Sequence, residues 1–176
     1  IVVKLKTFDF KSNDVEEIKK YKYGEKWPVV YFIHNDKEAY IGETTNAYIR
    51  TKQHLKNNER KTLKSIHIIS DDDFNKSAIM DIESSLIRFT SADGKFILQN
   101  LNSGLQNHDY YQRNIYQERL FEIWNQLRKK SLVSKDLNEI ENSDLFKFSP
   151  YKSLTTDQYL AIDFLLDDLS NDFFSP

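Results

Sequence analysis

Val29-Val30-Tyr31 is followed by Tyr40-Ile41-Gly42, its tyrosine nine residues after the first, and then by Arg50 and His54. Positions 50 and 54 are four apart, so on a helix the guanidinium and the imidazole project from one face, against which a phosphate can lie. Phenol, guanidinium and imidazole together suit phosphodiester cleavage. That reaction requires a water to be deprotonated and aimed in line with the leaving oxygen, charge on the pentavalent phosphate to be neutralised, and the departing alkoxide to be stabilised. The planar fork of Arg50 fits the phosphate better than a lysine would.

The elements that must position these side chains can be read locally. Two apolar runs, Pro28 to Ile33 and Ala39 to Ile41, flank the turn-forming Asn35-Asp36, which predicts a β-hairpin with one tyrosine on each strand. Thr44, Thr45 and Asn46 offer helix N-cap oxygens, and Ala47, Ile49, Thr51 and Leu55 behind them suit a helix. Ser65 to Ser70 is β-branched and suits a central strand packed on both sides, the third of the sheet. His67 within it reads as a packed or edge histidine rather than a ligand. Asp71-Asp72-Asp73 reads as the cap of the next helix, complementing its dipole, rather than as a metal cluster. Ser77 to Ile87 is strongly helical, Phe96 to Leu98 suits a short strand, and Gln112 to Arg128 forms an amphipathic helix through Ile115, Leu120, Ile123, Trp124 and Leu127. The expected fold is α/β (α+β): a small central, mainly antiparallel three-stranded sheet flanked by helices, with a C-terminal helical extension.

The ordered set resembles the GIY-YIG nuclease family over roughly residues 27 to 105. The second signature tripeptide is intact as Tyr40-Ile41-Gly42, and the first is degenerate as Val29-Val30-Tyr31, lacking its glycine. The family's arginine and histidine after the second tripeptide fall on Arg50 and His54, its glutamate on Glu83, and its later asparagine on Asn100, with Asn102 the fallback. The resemblance implies a GIY-YIG endonuclease fold and a single-metal mechanism. Glu83 would be the protein ligand of Mg²⁺ or Mn²⁺, hard ions that prefer oxygen. Arg50 would clamp the scissile phosphate. Tyr31 would serve as general base, while Tyr40 orients the water or stabilises the leaving group. A free tyrosine titrates at about 10, so this role needs a nearby cation, metal or basic group, and His54 would be that helper or would contact phosphate. Asn100 would tie the late segment to the site by hydrogen bonding. The implied substrate is nucleic acid, DNA ahead of RNA. The alternatives are an inactive nucleic-acid-binding module of the same fold and a protein-interaction adaptor.

Composition bounds the rest. With 176 residues, 39% hydrophobic and 30% charged, the chain can bury a proper core. Cysteine is absent, so neither disulfides, thiolate metal sites nor a cysteine nucleophile arise. A reducing bacterial cytoplasm is the expected compartment. No apolar run is long enough to span a bilayer, and Ile-Val-Val-Lys-Leu-Lys at the start lacks the apolar core of a signal peptide. The formal net charge of -2 is unevenly spread: Arg50, Lys52, Lys56, Arg60, Lys61 and Lys64 stand against Glu59 alone between residues 46 and 64. Placed directly after the Tyr40 hairpin, Lys52, Lys56, Arg60, Lys61 and Lys64 are expected to track a nucleic-acid backbone. From residue 134 onward acids dominate. Residues 1–26 read as an N-terminal extension, 27–133 as the nuclease domain, 134–148 as a polar linker, and 149–176 as a helical segment. In the last, Leu154-Thr155-Thr156-Asp157-Gln158 resembles the adenine-contacting motif that opens helicase ATPase domains. This suggests an N-terminal module joined to an ATPase or helicase domain of the Schlafen-like kind. A helix that merely packs on the domain is the alternative. No phosphate-binding loop follows within the sequence, so nucleotide hydrolysis by this stretch is not supported.

Overall fold

The computed structural model describes residues 3–100 and 113–143. Its centre is a sheet whose strands are β1 (Lys4–Asp9), β2 (Val29–His34), β3 (Glu38–Thr44), β4 (Ser65–Ser70) and β5 (Ile97–Leu98). They lie in the order β1-β4-β2-β3-β5, antiparallel except where β5 runs parallel to β3. Helices α1 (Val15–Lys20) and α2 (Ala47–Lys56) cover one face, and α3 (Lys76–Asp93), α4 (Arg113–Lys129) and α5 (Leu137–Asn142) serve the other.

Alternation along the central strand explains the two-sided core. On β2, Val29, Tyr31 and Ile33 join Ile18, Ala47, Ile66 and Ile68, while Val30 and Phe32 join Ile69, Ile79, Ile82, Phe89 and Trp124. Every residue from Val29 to Ile33 is buried, so a one-residue slip would exchange a phenol for an alkyl chain throughout. The hairpin turn is closed by Asn35, whose Oδ1 accepts from the amides of Lys37 and Glu38 at 2.8 and 2.7 Å. Asn46 caps α2 through Ile49 N at 3.0 Å, and Gly94, at φ 74, ends α3 in the left-handed region open to glycine.

The sheet therefore has five strands, not three. The additional strand β1 comes from the segment read as an N-terminal extension; it pairs with β4 from Lys4↔Ser70 to Asp9↔Ser65. Its exposed, lysine-rich alternation hid it, as befits an edge strand. The segment read as a polar linker contains α5, opened by a capping box of Asp136 and Glu139, with Leu137 and Ile140 buried in the α3–α4 core. Asn75, not the aspartate triplet, caps α3. Asp71 instead pairs with Arg119 of α4 at 3.4 Å, and Asp72 with Lys22 at 2.6 Å, so the triplet ties neighbouring elements together. Ile115 was placed on the buried stripe of α4 but is exposed, and Tyr116 takes that position. Asn102, residues 144–148 of the expected linker and the helical segment 149–176 with its ATPase-like motif lie outside the described residues. Among the described residues no helix is long and apolar enough to cross a membrane.

Candidate functional site

Pairing register brings the two tyrosines together. Tyr31 lies directly across from Gly42 and Ile33 across from Tyr40, so the tyrosines are diagonal neighbours on one face of the hairpin. Their rings are nearly parallel, with centroids 6.2 Å apart. Gly42 makes this possible by space, not by backbone freedom: a Cβ there would lie 2.2 Å from the Tyr31 hydroxyl oxygen and 2.4 Å from Cζ. The Tyr31 ring occupies the volume that a side chain at position 42 would need.

Helix α2 lies over these rings and delivers Arg50 and His54 from one face. The Tyr31 hydroxyl is 2.8 Å from His54 Nε2, and Arg50 Nε donates to the same hydroxyl oxygen at 3.2 Å. Arg50 also donates to Gln53 Oε1 at 3.1 Å. His54 is 4% exposed, and burial, followed by the Arg50 and Arg60 charges, lowers its pKa to about 3. It is therefore a neutral imidazole. Arg50 fills one lone pair of the Tyr31 oxygen, and in the Tyr31–His54 bond the donor is set by the imidazole tautomer. Tyr31 itself is 1% exposed, and burial, then Tyr40, push its pKa above the ordinary tyrosine value against the pull of Arg50. The expected downward shift does not occur. The cation is present but is outweighed by desolvation.

Glu83 approaches around the edge of β3, from α3. It is half-buried, and burial, then the carboxylate of Glu43, push its pKa up to about 7, while Lys76 and Arg50 pull downward. Glu43 follows Gly42 on β3 and, by alternation, faces α3 rather than the tyrosines. Its Oε1 is paired with the Lys76 ammonium, while its Oε2 is buried without a hydrogen-bond partner among the described residues. Two carboxyls crowded together, one with an orphaned oxygen, could hold a hard ion, with Lys76 and Arg50 the cations that bear on them. Among the described residues no group of three or more His, Cys, Asp or Glu is arranged to hold a metal. The remaining ligands of such an ion would have to be water and phosphate.

Asn100 stands at the free edge of β3. Its Oδ1 accepts from the Ile41 amide at 3.3 Å, and its amide donates to the Ile41 carbonyl, so one side chain continues the ladder that β5 ends at Ala39↔Leu98. It fixes the backbone between Tyr40 and Gly42.

The basic residues do not share one surface. Lys52 lies about 200° around α2 from Arg50 and, with Lys56, lines a groove against Ser12, Val15 and Glu16 of the α1 side. Lys61 and Lys64 are exposed near the turn, Lys64 pairing with Asp36 at 3.2 Å. Arg60 belongs to the site: its guanidinium carbon lies 4.1 Å over the Tyr40 ring centroid. It is carried by a 3-10 turn, Asn58–Arg60, whose Glu59 carbonyl accepts from the Gln99 amide. Sequence reasoning did not single out Glu43 and grouped Arg60 with the surface lysines of the basic stretch. Strand alternation gave the facing of Glu43, but nothing local linked it to α3.

Comparisons with family models, with curated proteins and with solved structures return no match.

Proposed function

We propose that this protein is a metal-dependent endonuclease of the GIY-YIG type that hydrolyses phosphodiester bonds of nucleic acid, DNA ahead of RNA. The observation that carries the reading is the convergence of Tyr31, Tyr40, Arg50 and His54 on one side of β3 with Glu83 at its edge. They are close enough that Tyr31 feels the Glu83 carboxylate and Glu83 feels Arg50. A phosphate resting on Arg50 would lie between the hydroxyls and the carboxyls. Arg50 has no carboxylate partner among the described residues, only the neutral oxygens of Tyr31 and Gln53, which an oxyanion could displace or join.

The chemistry follows from the hydrogen-bond chain. The Tyr31 hydroxyl, fixed by His54 and Arg50, holds and aims the attacking water, whose proton leaves to bulk water as the new P–O bond forms, so neither a buried phenolate nor a buried imidazolium is required. Arg50 holds a non-bridging oxygen and compensates the charge that grows on the phosphate. Tyr40, beside Tyr31, offers its hydroxyl to the leaving oxygen. Glu83, with Glu43 next to it, would hold Mg²⁺ or Mn²⁺. When bound, such an ion supplies further charge neutralisation at the phosphate and the leaving group.

The test is cleavage of single-stranded and duplex DNA and RNA with Mg²⁺, with Mn²⁺ and with chelator. Metal-dependent cutting is expected. Tight binding without cutting in either metal would replace this reading by the inactive binding module, which the near-complete burial of Tyr31 favours. An ATPase partner domain remains part of the proposal as the attached module that sets specificity.

A further inference from the structure

Arg60 is a guanidinium held where a surface cation would not be. Its side chain is 12% exposed, and among the described residues its Nε is buried without a hydrogen-bond partner and its one carboxylate neighbour, Glu59 Oε2, is 3.8 Å away and faces solvent. Burying a charged donor without an acceptor costs free energy that the Tyr40 ring face only partly offsets. Arg60 and Arg50 both bear on the neutral His54, so two cations converge on this region while the described residues offer neither a close anionic partner. The missing charge is negative, and planar, bidentate oxygen acceptors satisfy a guanidinium best.

The two arginines address different tyrosines. Arg50 reaches the Tyr31 hydroxyl from α2, Arg60 covers the Tyr40 ring from the 3-10 turn, and the two rings are neighbours with centroids 6.2 Å apart, so the guanidinium groups serve adjacent positions of one site. The turn is held in place from three sides: Asn57 Oδ1 accepts from the Glu59 amide, Arg60 N donates to the Asn57 carbonyl, and Gln99 holds the Glu59 carbonyl. A residue held in this way serves a fixed point, unlike a mobile lysine in a general basic patch.

We infer that Arg60 grips a second phosphate, adjacent to the one held by Arg50, so that the site takes the interior of a polynucleotide strand and not an isolated phosphodiester. This rests on the nuclease reading only for the identity of the first phosphate. The test uses the whole chain in chelator, with a short fluorescent oligonucleotide titrated over a range of salt. Arg60→Gln keeps most of the stem that covers Tyr40; it should weaken binding about tenfold and take about one unit from the slope of log affinity against log salt. Arg60→Lys should keep the slope. An unchanged slope in Arg60→Gln, with its thermal midpoint unchanged, overturns the inference.

The unaltered protein supplies a second readout that does not depend on how the variants fold. In competition with the fluorescent oligonucleotide, a trinucleotide with two internal phosphates should bind at least tenfold better than a dinucleotide with one. Equal competition overturns the inference, and so does an absence of oligonucleotide binding by the wild type. A protein that shows the two-phosphate pattern yet cuts nothing keeps Arg60 in this role and loses the nuclease reading instead.

Discussion

The Tyr31 hydroxyl lies 2.8 Å from His54 Nε2, with both side chains almost fully buried and Arg50 donating to the same hydroxyl oxygen. A phenol in this setting titrates too high to act as a base, but held by Arg50 and His54 it can aim the attacking water. Tyr31→Phe keeps the ring over Gly42 and removes only the hydroxyl. A purely structural hydroxyl would cost about 1–2 kcal/mol of stability and leave any cleavage nearly intact. A catalytic hydroxyl predicts a loss of about 10²-fold or more in single-turnover cleavage with substrate affinity nearly unchanged. His54→Gln should slow cleavage in the same direction, and Tyr31→Phe combined with His54→Gln should cost little more than either alone, because the two act as one unit.

Glu83→Ala should abolish metal-dependent cleavage while oligonucleotide binding in chelator persists, since the arginines are untouched. Normal cleavage by this variant would reject the metal assignment. The raised pKa of about 7 adds a pH signature. Below pH 7 the ion must displace a proton, so Mn²⁺ affinity should climb with pH and level off above about 7, with proton release measurable by calorimetry in buffers of different ionisation heat. In Glu83→Gln that pH dependence should disappear.

Arg50→Lys retains a positive charge but loses the planar fork that also reaches Tyr31. Turnover should fall by more than binding does. Near-normal cleavage by the lysine variant would reduce Arg50 to a general cation. Lys56→Ala and Lys61→Ala, away from the tyrosines, should alter affinity and its salt slope only modestly across all sequences.

Gly42→Ala tests the packing on which the tyrosine pair depends. The new Cβ would fall 2.2 Å from the Tyr31 hydroxyl oxygen, so the ring must tilt away from His54. The expected cost is about 1–3 kcal/mol in denaturant unfolding, accompanied by loss of cleavage. A variant as stable and active as the wild type would contradict the described contact.

Stability should follow the buried histidines in acid. His54 and His67 are both lowered to about 3, His67 by burial first and then by His34 and Lys130, whereas the unfolded chain takes up these protons near the ordinary value of 6.5. The unfolded state thus binds more protons below pH 6.5, and stability is lost as pH falls from there toward 3. Glu83 acts oppositely: its folded pKa exceeds its ordinary value, so its protonation stabilises the fold as pH falls from 7 to about 4.5. Two histidines outweigh one glutamate. Urea midpoints should drop on acidification, less steeply in His67→Gln and more steeply in Glu83→Gln.

The sequence alone determined what depends on near neighbours. The hairpin around Asn35-Asp36, a cap within Thr44-Thr45-Asn46, the buried run Ser65 to Ser70, the long helix after residue 76 and the shared face of Arg50 and His54 follow from period, turn chemistry and capping, which reach only a few residues. Strand β1 and helix α5 were not legible, because an exposed edge strand and a short helix with two buried residues carry weak periodic signals. Only the tertiary structure decided the electrostatics of the site. Tyr31 is raised and not lowered because burial depends on what packs over the ring; Glu43 meets Glu83 because β3 and α3 adjoin in space; Arg60 leaves the basic surface because its turn folds back over Tyr40. Desolvation and charge coupling are set by atoms distant in the chain, and spacing along a sequence does not encode them.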